Sequence, residues 1–179
     1  MYLADTELNK KLTLLRAKGI TENKIKELLE KNNSGLRKTF ATLEERVAAI
    51  SASGKPVVVM GHYPLRDTRG LPLTWGASLW EAGTIGDQSD IVYELLNKYE
   101  NVFYITGHLH TGIGQYTYEE IGNIHGINVP SIGITNKDGE YNVATGVILE
   151  VYEDKVISRA RDFGTGEYIP EYTVTYELV

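Results

Sequence analysis

Two short apolar runs in this chain end in the same way. "VVVM" at 57–60 is followed by Gly61 and His62, and "VFYIT" at 102–106 by Gly107 and His108. Runs of β-branched and aromatic residues of this length read as strands. The first, "PVVVM", is expected to be central and covered on both faces. A Gly-His pair at each carboxyl end places imidazoles where open α/β sheets put their binding sites. His110 follows two residues after His108, and side chains two apart in an extended segment share a face. Both rings are therefore expected to point at one spot. Three of the four histidines thus lie on two strand-end turns. Neutral imidazole is a common ligand for zinc, iron, manganese and nickel. If the strands are parallel neighbours, His62, His108 and His110 converge as candidate metal ligands. For any one of them alone, the plain alternative is a hydrogen-bonded surface or core histidine.

The stretch between the two runs supports a parallel pairing. A glycine-rich loop from Gly61 to Gly86 leads into "DQSDIVYELLNKY", a helix expected to start at Asp87 or Ser89 and to bury Ile91, Leu95 and Tyr99. Strand, helix, strand implies a right-handed crossover between parallel strands. Beyond Thr111 the pattern changes to short strands and turns: "QYTYEEI", "GINVPSIGIT", "ATGVILEVYED", "KVISRARDF" and "YTVTYELV". Val147, Leu149 and Val151 alternate onto one face of an expected hairpin. Residues 1–54 look helical. Leu8, Leu12 and Leu15 recur at helical spacing, Thr21 is placed to cap "TENKIKELLEK", and "NNSG" separates it from a further helix ending at Gly54. These helices are read as a layer packed on a sheet or, alternatively, as a partner-binding hairpin. The expectation is one domain, 1–179, with a helical segment at 1–54 and the sheet-bearing part at 55–179. Its class is α/β with α+β character, a mixed sheet plus antiparallel C-terminal strands.

A chain of 179 residues is long enough for a real core. The formal net charge of −6 argues against a general nucleic-acid binder, which needs a basic surface. With no cysteine, disulfides and thiolate metal sites are excluded. No apolar stretch is long enough to span a bilayer, and the first residues lack the pattern of a signal peptide. The compartment stays open, since an upstream half could carry an export signal.

"VVVMGHYPL" followed by "VFYITGHLHTG" resembles the last two motifs of the calcineurin-like metallophosphoesterases. "GHYP" is similar to the corresponding turn of purple acid phosphatases, and "GHLH" to the closing Gly-His-x-His. The resemblance covers Lys55 to about Phe163. It implies the C-terminal half of an αββα sandwich and a two-metal phosphohydrolase acting on phosphate mono- or diesters. His62 and His108 would bind one metal and His110 the other, the pair being iron, manganese or zinc.

The chain departs from that pattern before His62. No Asp-x-His and no Gly-Asn-His occurs from Met1 to Met60. "GDQSD" at 86–90 matches Gly-Asp-x-x-Asp as a string, but it follows a loop and reads as a helix start. "GNIHG" around His125 reads as a turn between strands. The expectation is a C-terminal fragment of such an enzyme, inactive alone because the upstream carboxylate, asparagine and histidine motifs are missing. The alternative is a non-catalytic metal-binding or oligomerisation module of the same descent. Half a sandwich leaves a sheet edge or face uncovered, so a homo-oligomer is expected. Tyr63, Arg66 and Arg69 are candidate substrate contacts, because arginine binds phosphate bidentately. Solvated loop positions are the alternative for both arginines. Trp75 and Trp80 either wall a pocket or pin the loop.

Overall fold

The computed structural model describes residues 16–71, 83–133, 141 and 143–179, with the side chains of 28–40 left aside. The leucines at 8, 12 and 15, both tryptophans, and the "NKDG" turn residues lie outside them. The chain divides into two compact units, 1–46 and 47–179.

Helix α1 runs unbroken from Glu22 to Ser51. Two helices separated at "NNSG" were expected; a single glycine inside a helix costs only about 1 kcal/mol relative to alanine, and no proline enforces a break. Thr21 caps the start, its Oγ1 accepting from the Lys24 N–H at 3.4 Å. Gly54, at φ +72, closes the other end by donating to the Ser51 carbonyl.

The second unit is built on two sheets. The first has the order β1-β2-β4-β3, with β1 Val57–Met60, β2 Val102–Thr106, β3 Tyr118–Ile121 and β4 Ile124–Asn128. β1 pairs parallel with β2, β2 parallel with β4, and β3 antiparallel with β4. The second is antiparallel, β5 Thr145–Val151, β6 Lys155–Asp162 and β7 Tyr168–Glu177. The expected class, α/β with a mixed sheet and antiparallel C-terminal strands, is the one observed. Phe103 and Ile127 from the first sheet pack on Val156 and Tyr176 from the second, with Val147 and Leu149 joining them. Val151, expected on the same face, is 55% exposed at the strand end.

Three local readings need correction. Among the described residues β1 is an edge strand, not a central one: Val58 is 42% and Met60 78% exposed. An apolar run looks the same in sequence whether one or both of its faces are covered. Helix α2, Ser89–Leu96, buries Val92, Leu95 and Leu96 and leaves Ile91 48% exposed. His125 belongs to β4, and the turn before it is Gly122-Asn123.

Candidate metal centre

The parallel register, Val57↔Val102 through Met60↔Ile105, brings the two Gly-His turns out side by side. The ladder continues past the strands. Gly61 N–H donates to the Ile105 carbonyl at 2.9 Å, and Gly107 N–H to the His62 carbonyl at 3.2 Å. His108 Nδ1 consequently lies 3.1 Å from His62 Nε2. The rings meet edge-on, with centroids 4.9 Å apart, and the Tyr63 ring sits 4.1 Å from that of His108.

The loop through His108 is not extended. Leu109 N–H donates to the Gly107 carbonyl at 2.8 Å across His108, whose φ is +66. That is a γ-turn of the rare, strained positive-φ kind. His110 also lies in the left-handed region, at φ +56. Two such residues flank Leu109, which is fully buried. The leucine anchors the loop while His110 stands exposed beside it. Non-glycine residues held at positive φ are concentrated at functional sites. Burial, then the neighbouring His62 and His110, push the His108 imidazole below its ordinary value, which favours the neutral ring that a metal requires.

Whether a divalent ion fits can be judged from the nitrogens. Two donors on one tetrahedral ion, each bonded at about 2.0–2.1 Å, stand about 3.3–3.4 Å apart. The 3.1 Å separation of His62 Nε2 and His108 Nδ1 is about 0.2 Å short of that span, and it is also the length of a hydrogen bond between the two rings. Among the described residues, no group of three histidine, aspartate or glutamate side chains is close enough together to hold an ion. His110 is near enough to act on the charge of His108 but does not complete such a group. The spacing is close to that of two ligands of one ion, and among the described residues no carboxylate joins the two rings.

The two arginines have protein partners. Arg66 pairs with Asp90 at 2.5 Å, and its N–H donates to Ser89 Oγ at 3.0 Å. "GDQSD" is thus a 3-10 turn and helix start whose last aspartate holds a loop arginine. Arg69 is 1% exposed and faces Glu119 on β3, 3.5 Å away, while its own N–H donates to the same carboxylate at 2.9 Å. Its guanidinium lies against Gly126 on β4, where a Cβ would overlap it. His125 Nδ1 meets Glu120 at 2.7 Å and packs between Phe103 and Tyr176, on the side facing the second sheet. An open groove of about 600 Å³, lined by Gly54, Lys55, Pro56, Val151, Tyr152 and Glu153, lies at the opposite end of β1 from His62.

Sequence reasoning did not single out the polar residues beneath the turns. Tyr104 Oη donates to the Tyr63 carbonyl at 2.9 Å. Asn128 Nδ2 donates to Thr111 Oγ1 at 2.6 Å. Thr106, Thr111 and Asn128 are at most 1% exposed. Thr106 and Asn128 carried one signal, a polar residue at the last position of a strand.

No family model matches this chain, and no curated protein matches it. Among solved structures, a single mutant of Vps29 from Entamoeba histolytica is similar over 55% of this chain, at 15% identity and a TM-score of 0.35. The likeness spans 50% of the length of that protein.

Proposed function

We propose that this chain is the histidine-bearing C-terminal portion of a metal-dependent phosphohydrolase acting on phosphate mono- or diesters. His62 and His108 are ligands of one divalent ion and His110 of a second. The observation that supports this reading is the pairing of two Gly-His turns on adjacent parallel strands, with ring nitrogens 3.1 Å apart. Iron, manganese or zinc bound there supplies Lewis acidity and a water of lowered pKa. The chain's own part is to hold the imidazoles at that spacing and to wall one side of them with Tyr63. Arg66 and Arg69 reach a phosphate only by leaving Asp90 and Glu119. The chain by itself is expected to bind metal and turn over no ester, since the carboxylates lie upstream in the family it resembles.

A second reading, a non-catalytic oligomerisation module of the same descent, is favoured by the exposed apolar residues Val58 and Met60 on the edge strand. Metal analysis of the purified chain, loaded in turn with zinc, manganese and iron, separates the readings. Bound metal that is lost in His108→Ala supports the ligand assignment. No metal under any loading contradicts it. Hydrolysis of para-nitrophenyl phosphate by the chain alone would contradict the view that its site is incomplete.

A further inference from the structure

The strained turns need something to hold them, and one face of the first sheet provides it. Strained backbone persists only where the surroundings over-determine it. Side chains alternate along a strand, so Phe103 and Ile105 face the second sheet while Tyr104 and Thr106 face away from it. In β4, Gly126 and Asn128 are the register partners of Tyr104 and Thr106 and share that face. A buried polar row therefore runs under both histidine turns. Its Tyr104 end fixes the His62 turn through the Tyr63 carbonyl. Gly61 leaves room for that phenol, since a Cβ there would come within 2.8 Å of its oxygen. At the other end, Asn128 fixes the His108–His110 loop through Thr111. The next residue, Val129, donates its N–H to the Thr106 carbonyl at 2.6 Å. The loop is thus gripped just before and just after its two histidines. Thr106 Oγ1 and Asn128 Oδ1 have no hydrogen-bond partner among the described residues. A row kept only for packing would do better with apolar side chains of the same shape.

We propose that Tyr104 and Asn128 are positioning residues, which set the separation of the His62 and His108 rings by anchoring the two turns from below. The inference concerns the ring geometry, and it touches metal affinity only through the ligand reading given above. The test uses the full chain with Tyr104→Phe, Thr111→Val and Thr111→Ser, the last retaining the hydroxyl that Asn128 bonds. Thermal melting reports folding, ¹⁵N chemical shifts report the His62–His108 ring contact in the metal-free protein, and calorimetry with zinc reports affinity. Tyr104→Phe and Thr111→Val are expected to stay folded, lose the paired-ring shifts and bind zinc at least about tenfold more weakly. Thr111→Ser is expected to behave as the parent. Parental ring shifts in both folded variants would overturn the inference. If Thr111→Val fails to fold, Tyr104→Phe decides for Tyr104, and Thr111→Ala, read by the same ring shifts, decides for Asn128. If the parent binds no zinc, the ligand reading falls, and the ring shifts still decide the positioning.

Discussion

Replacing His108 by alanine and by glycine separates the strain of its turn from the loss of its ring. Both substitutions remove the contact with His62. Only glycine also removes the Cβ that makes φ +66 unfavourable. A left-handed conformation costs about 1–2 kcal/mol in a residue with a Cβ. Glycine gives back about 0.5–1 kcal/mol through the greater freedom of its unfolded chain. His108→Gly is therefore expected to be more stable than His108→Ala by about 0.75 kcal/mol, within a span of about 0–1.5 kcal/mol, the reverse of the order in ordinary strands and helices. His110, at φ +56, is expected to show the same order. Urea unfolding of the four single variants measures this directly, since each pair shares its lost side chain. Because the cost is in the folded backbone, the order should persist with and without divalent metal. Alanine variants as stable as, or more stable than, their glycine counterparts would refute the strained turn.

Gly126→Ala is expected to destabilise by about 1–3 kcal/mol by overpacking, because its Cβ would overlap the buried Arg69 guanidinium. In an Arg69→Ala background the same change should be nearly neutral, and a double-mutant cycle checks the coupling. Burial raises the Tyr176 hydroxyl well above its ordinary value, with Glu120 and Tyr118 adding to the effect. The unfolded chain loses that proton first, so stability should fall as pH rises past about 10. Tyr176→Phe should flatten that fall in denaturant midpoints taken from pH 8 to 11. Met60→Lys places a charge on the exposed edge strand. It should shift the chain toward monomer in sedimentation velocity, and a parent that is already monomeric would refute self-association through that edge.

What could be read from sequence followed the range of the interactions involved. The β1–α2–β2 crossover and both Gly-His turns were legible because strand run, loop, helix and strand follow one another locally. The pairing of β2 with β4, which leaves β1 at the edge, depends on contacts that no local pattern encodes. The arginines show the same limit. Nothing near Arg69 in the sequence points to Glu119, 50 residues away, or to the glycine on β4 that receives its guanidinium. At the site, the expectation that His108 and His110 share a face assumed an extended segment, whereas the γ-turn places a buried leucine between two left-handed residues. Tyr104 and Asn128 escaped notice because their importance lies in hydrogen bonds to Tyr63 and Thr111, which only the folded chain brings within reach.

The central claim is that His62 and His108 share an ion. Anomalous diffraction at the zinc edge from crystals of the chain grown with zinc tests it most directly. The account predicts a peak about 2.0–2.1 Å from His62 Nε2 and from a ring nitrogen of His108. Zinc bound only elsewhere, with the two rings still hydrogen-bonded to each other, would contradict it.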